Sequence, residues 1–126
     1  MAHRALSGAG AARPIGPYSP GIDAGSVVFV SGQVGIDPAT GQLVEGVEAQ
    51  AERALHNIAS ILDSAGLTIG DVAKTMILLA DIADFEKVNA VYSRFVGDPP
   101  PARSTFQVAA LPRGARVEIE AIAIRG

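Results

Sequence analysis

Apolar residues recur along this chain in two rhythms that divide it into helices and strands. From Val47 to Ala65 the residues Val47, Ala51, Ala54, Leu55, Ile58, Ile61, Leu62 and Ala65 fall three and four apart. That spacing predicts an amphipathic helix stopped by Gly66. A second stripe, Phe85, Val88, Val91, Tyr92 and Phe95, predicts a helix over Phe85–Val96 with Asp84 as its N-cap. Between and around them lie shorter runs rich in β-branched residues. Ser26–Ser31 is bounded by glycines and reads as a buried strand, Val72–Leu79 as a strand opened by Asp71, and Ser104–Ala109 and Arg116–Ile124 as two more. A further short strand is expected near Arg4–Ser7. Asp37-Pro38-Ala39-Thr40-Gly41 is a turn in which Pro38 sets φ and Gly41 takes the position needing positive φ. The order is strands, helix, strand, helix, strand, strand. It predicts an α+β sandwich, one mixed sheet with both helices on one face, spanning residues 1–126 as one domain.

The last run sharpens this picture. With period two, Glu118, Glu120, Ile122 and Ile124 share one face, while Val117, Ile119, Ala121 and Ala123 share the other. Both faces are largely apolar, so the strand is expected to be covered on both sides. Two helices cover only one, and a neighbouring copy of the chain is the expected cover for the other. Composition agrees: 126 residues are near the small end for a self-sufficient core, yet 48% are hydrophobic. The mean hydropathy is +0.30. A homo-oligomer is expected.

Charge and residue usage remove several classes of function. A net charge of −3 without a block of Lys or Arg argues against nucleic acid or an anionic membrane as partner. There is no cysteine, hence no disulfide, thiol nucleophile or thiolate-ligated metal. The two histidines, His3 and His56, are far apart with no carboxylate at ligand spacing, so a structural metal site is not expected. No apolar run approaches the ~18 residues that span a bilayer, and no leader-like segment opens the chain. A cytoplasmic protein is expected.

Two sets of residues offer chemistry. In Pro99-Pro100-Pro101-Ala102-Arg103-Ser104-Thr105, prolines restrict the backbone that delivers one arginine to a strand start. A guanidinium held there matches a carboxylate bidentately. The bland alternative is a solvated surface arginine. Glu118 and Glu120 intrude on an otherwise apolar face, where carboxylates are costly unless paired, exposed or working. They are either members of interfacial salt bridges with Arg103, Arg113 or Arg116, or include a general acid/base whose pKa is raised by partial burial. Glu120 is the one better suited to a structural pair, being roughly 6.5 Å farther along the strand.

Taken together, Gly16-Pro17-Tyr18-Ser19, Val30-Ser31-Gly32-Gln33 with the turn at Asp37–Gly41, Phe85-Glu86-Lys87-Val88-Asn89-Ala90-Val91-Tyr92, and Pro101-Ala102-Arg103-Ser104 with Leu111-Pro112 and Val117–Ala123 resemble the RidA (YjgF) family of reactive-intermediate deaminases over nearly the whole chain. The resemblance implies a chorismate-mutase-like fold assembled as a homotrimer around a central barrel, with sites in the clefts between subunits. It implies cofactor-free hydrolysis of enamines and imines such as 2-aminoacrylate and 2-iminopropanoate to 2-oxo acids and ammonia, a form of metabolite damage control. Position by position, Arg103 matches the family's substrate-carboxylate arginine and Glu118 its acidic residue that positions water or shuttles a proton. Tyr18, Ser31, Gly32, Asn89 and Thr105 match residues lining the site. Thr105 stands where many relatives carry cysteine, so no thiol can act there. The alternative is a trimer that grips a 2-oxo acid without turning it over. An RNA-cleaving role fits the acidic balance poorly.

Overall fold

The structure is a computed structural model that describes residues 3–126. A six-stranded sheet runs in the order β1-β2-β3-β8-β6-β7, formed by Arg4–Leu6 (β1), Gly21–Asp23 (β2), Val27–Val34 (β3), Val72–Leu79 (β6), Ala102–Gln107 (β7) and Val117–Ile124 (β8). All neighbours are antiparallel except β6 and β7. A parallel pair needs a crossover, and the second helix α2 (Phe85–Tyr92) lies within it. A small hairpin of β4 (Ile36–Asp37) and β5 (Gln42–Leu43) closes around the turn at Asp37–Gly41. There the amide of Gly41 donates to the Asp37 carbonyl at 2.8 Å, and Gly41 has φ 72°.

Helix α1 (Val47–Asp63) lays its predicted stripe on the sheet, with Val47, Ala51, Ala54, Leu55, Ile58, Ile61 and Leu62 all buried. Each fully buried aliphatic side chain of this kind contributes about 1.5–3 kcal/mol. The helix ends at Asp63, two residues short of the expected Ala65, and Gly66 turns the chain away: it takes φ 75°, and the amide of Leu67 donates back to the Leu62 carbonyl at 3.0 Å. Two polar residues share the buried face. Asn57 Nδ2 donates to the Ile36 carbonyl at 3.0 Å. Gln50 Nε2 donates to the Val44 carbonyl at 3.0 Å while its Oε1 accepts from the Arg116 amide at 2.8 Å. These bonds tie the hairpin and the entry to β8 onto the helix, and satisfy backbone groups that the sheet leaves over.

The expected elements are present with shifted ends. β3 runs on through Ser31 and Gly32, with its register to β8 broken between Val30 and Gln33. β7 starts two residues earlier than expected, because its parallel ladder with β6 already pairs Ala102 with Lys74 and Arg103 with Thr75. Helix α2 ends at Tyr92 rather than Val96. Asp84 occupies its N-cap position but caps nothing: the buried carboxylate accepts from Arg116 Nη2 at 2.8 Å. An ion pair to a guanidinium outbids an amide for the same oxygen. The short 3₁₀ turn before it, Ile82–Asp84, is capped instead by Asp81, which accepts from the Ala83 amide at 2.9 Å.

Both helices lie on one face of the sheet. Val28, Val30, Thr75, Ile77, Leu79, Val117, Ile119, Ala121 and Ala123 point into that core. The opposite face is open in the single chain and carries Phe29, Phe106 and Ile124 at 47%, 45% and 44% exposure. No helix among the described residues is long and apolar enough to cross a membrane.

Candidate active site

Sheet register decides where the chemistry can happen. Arg103 and Thr105 of β7 pair with Thr75 and Ile77 of β6. Those two are buried beneath the helices, so Arg103 and Thr105 stand on the helix face. Glu118 of β8 pairs with Leu78 on one side and Val34 on the other, alternating with the buried Val117 and Ile119. It therefore leaves the sheet on the open face. The two residues with the clearest chemistry point away from each other, and the seven expected site residues fall into two groups.

The first group surrounds Arg103. Its Nε donates to Thr105 Oγ1 at 2.7 Å, and Nη2 donates to Asn89 Oδ1. The guanidinium also sits over two rings, 4.9 Å from the centroid of Tyr92 and 5.4 Å from that of Phe85. No carboxylate pairs with it among the described residues. Of its five N–H groups two are taken, which leaves both on Nη1 and one on Nη2. These lie along the end of the fork, where a carboxylate can accept two parallel hydrogen bonds. The cleft in front is walled by Val96, Gly97, Pro100 and Pro101.

Phe85, Asn89 and Tyr92 come from one face of α2, since positions i, i+4 and i+7 are aligned. Sequence reasoning placed Phe85 and Tyr92 in the apolar stripe and missed their part here. The signal available was an asparagine at matching spacing inside an aromatic pair. Thr105 contributes through its hydroxyl, which accepts from the guanidinium.

The second group surrounds Glu118. Its carboxylate lies directly over Gly32, so close that any side chain at position 32 would overlap it. Ser31, beside Gly32 at the register break, spends its hydroxyl on the Ser19 carbonyl at 2.6 Å, pinning the loop that carries Tyr18. The Tyr18 hydroxyl accepts from the Ile15 amide at 3.3 Å, and its ring lines the same hollow as Ile15, Pro112 and both glutamates. Burial pushes the Glu118 carboxyl above its ordinary value of 4.5, and repulsion by the Glu120 carboxylate pushes in the same direction. Within the single chain Arg103, Arg113 and Arg116 all reach other partners than the two glutamates: Arg116 pairs with Asp84, Arg113 donates to the Gly41 carbonyl at 3.2 Å, and Arg103 is held as above. No grouping of three or more His, Cys, Asp and Glu with metal-binding geometry occurs among the described residues.

One half of this arrangement is a fork for a carboxylate and the other is an acid/base group in a partly apolar hollow. Within one chain the two lie on opposite faces of the sheet.

Comparison with known proteins is consistent along the whole chain. The family described as Endoribonuclease L-PSP matches residues 9–125. The human 2-iminobutanoate/2-iminopropanoate deaminase is 47% identical over 127 aligned positions, covering 100% of this chain and 93% of that protein. The deaminase of the same name from Salmonella typhimurium is 47% identical, covering 88% of this chain and 89% of that one. Among solved structures, Escherichia coli TdcF with bound serine superposes with a TM-score of 0.94 at 40% identity, covering 98% of this chain and 99% of that one.

Proposed function

The chain belongs to the Endoribonuclease L-PSP family, to which the RidA (YjgF) proteins belong, and we propose that it hydrolyses reactive 2-imino acids and their enamine tautomers to 2-oxo acids and ammonia. The observation that carries this is the guanidinium of Arg103, held on four sides by Thr105, Asn89, Tyr92 and Phe85 with its carboxylate-matching edge unused. A flexible surface arginine would lose side-chain entropy on gripping a carboxylate; this one has already lost it.

The chemistry follows from the substrate. In an iminium derived from 2-aminoacrylate or 2-iminopropanoate the C=N carbon is already electrophilic, so the protein needs to hold the carboxylate and aim one water. Ionised Glu118 takes a proton from that water as its oxygen bonds to the carbon. The resulting carbinolamine collapses as Glu118 passes that proton to nitrogen: the C–N bond breaks, the carbinolamine hydroxyl gives its proton to the freed carboxylate as C=O forms, and ammonia leaves a 2-oxo acid behind. A carboxylate with a raised pKa is suited to both transfers, and the reaction draws on no cofactor.

We further propose that the working form is a homotrimer of chorismate-mutase-like subunits around a central barrel, in which Arg103, Asn89 and Thr105 of one subunit face Glu118, Gly32, Ser31 and Tyr18 of the next. The opposed directions of Arg103 and Glu118 and the exposed apolar side chains on the open sheet face support it. Ribonuclease chemistry finds little support: Glu118 and Glu120 would repel a phosphate, and the chain is acidic. A carboxylate-binding protein without turnover would need Arg103 but not Glu118.

The test is release of 2-oxo acid from imines generated in situ by an amino-acid oxidase. The wild type should accelerate it, Arg103→Ala should not while keeping its assembly, and Glu118→Gln should bind 2-oxo acid yet turn over slowly. No acceleration by the wild type across small and bulky imines would leave only the binding reading.

A further inference from the structure

The Arg103 fork rests on a buried pair that takes no part in the proposed chemistry. Tyr92, 5% exposed, has the guanidinium over its ring, and its hydroxyl shares a 2.6 Å hydrogen bond with the hydroxyl of Thr75, 4% exposed. Thr75 is also the residue that pairs with Arg103 across the parallel ladder. One backbone ladder and one side-chain bond thus fix the arginine and the ring beneath it to the same point of β6.

A buried Thr–Tyr pair is an unusual way to fill a core. Phenylalanine and valine would occupy nearly the same volume without any polar atom to satisfy, and replacing both partners of a buried hydrogen bond by apolar groups of the same shape costs little. What the hydroxyls add is position: a 2.6 Å bond ties the far end of the Tyr92 ring to Thr75 of β6, an anchor that a phenylalanine in a smooth apolar pocket would lack. The anchored ring in turn bounds where the guanidinium 4.9 Å from its centroid can sit, and so the direction of its free edge.

We propose that Thr75 and Tyr92 are positioning residues for substrate: they act through Arg103, aligning its fork for the 2-imino acid carboxylate. This rests on Arg103 being the carboxylate clamp. Since a carboxylate is held alike in the ground and transition states, misalignment weakens binding rather than chemistry.

The experiment measures 2-oxobutanoate affinity, KM and kcat for in situ 2-iminobutanoate, and Tm, in Thr75→Val, Tyr92→Phe, the double variant, Thr75→Ser and Arg103→Ala. Each single variant should lose stability by stranding one buried hydroxyl, and the double variant should regain much of it. Both singles and the double should nevertheless raise KM and the 2-oxobutanoate Kd about fivefold, with kcat moving by less than about twofold. Thr75→Ser, which keeps the hydroxyl, should bind like wild type. A double variant that folds and binds like wild type, where Arg103→Ala does not bind, overturns the positioning role and leaves the clamp standing. Wild-type binding by Arg103→Ala itself overturns both. If Thr75→Val fails to fold, Tyr92→Phe alone carries the comparison on the same terms.

Discussion

Replacing Gly32 by alanine isolates the placement of Glu118 from its chemistry. A methyl group at position 32 would lie 2.7 Å from the Glu118 carboxyl carbon and 3.1 Å from its Cγ. Carbon atoms pack comfortably only from about 3.5 Å, so the carboxyl group has to retreat by roughly 0.8 Å. The backbone at position 32 is not in the left-handed region, so alanine brings no φ strain. Removing a glycine also restricts the unfolded chain, which stabilises by about 0.4–1 kcal/mol and offsets a similar cost of overlap. Gly32→Ala should therefore melt within a few degrees of wild type. Its kcat should nonetheless fall on the order of a hundredfold, the penalty of misplacing a reacting group by about 1 Å. The assay is steady-state 2-oxo acid release from 2-iminopropanoate at fixed pH, with Tm and 2-oxobutanoate binding measured on the same preparation. Wild-type kcat in a folded, substrate-binding Gly32→Ala protein would refute the reasoning, since the carboxylate would then have moved without consequence. A collapse in Tm would refute the other half, that only a flexible side chain stands in the way.

In the proposed mechanism Glu118 acts ionised, so with its pKa raised kcat/KM should climb with pH through an inflection above 4.5; Glu120→Gln removes the repulsive contribution and should move that inflection down, though burial keeps it above the ordinary value. Phe106→Asp places a charge on the open sheet face, where nothing in the single chain buries it; sedimentation should show dissociated, folded subunits without turnover, and an intact active oligomer would exclude that face as the interface. The Arg125 guanidinium and the Gly25 amide hold Asp23 down to about 2 from 3.8. A depressed carboxylate stabilises above its unfolded pKa, and that contribution disappears as pH falls through its folded value. Urea midpoints should thus drop more steeply between pH 4 and 2 in wild type than in Asp23→Asn, and parallel curves would show the Arg125 clasp to be idle.

How much of this was legible beforehand depended on the range of the physics involved. The α1 stripe, the turn of the chain at Gly66 and the strand at Val72–Leu79 follow from local periodicity and from a backbone conformation that glycine adopts without penalty, and the structure reproduces them. The two-faced β8 was equally plain, because period two is a property of any strand. Gln50 and Asn57 sit on the buried side of α1 for reasons no periodicity carries, since their partners, the Arg116 amide and the Ile36 carbonyl, are far away in sequence. Asp84 reads as a cap until Arg116, 32 residues later, arrives to claim it.

The candidate site divides the same way. The residue types were visible in the chain: an arginine delivered by prolines, a glutamate on an apolar strand, a glycine beside a serine. Their grouping was not. Whether Arg103 and Glu118 meet depends on the parity of two registers, β6 to β7 and β6 to β8, and a shift of one residue in either would put both on the same face. The sequence by itself determined which side chains could bind a carboxylate or move a proton, because that is fixed by functional group and local backbone. Only the tertiary structure decided that the two lie on opposite faces of one sheet, because strand pairing is set by long-range packing that no local pattern encodes.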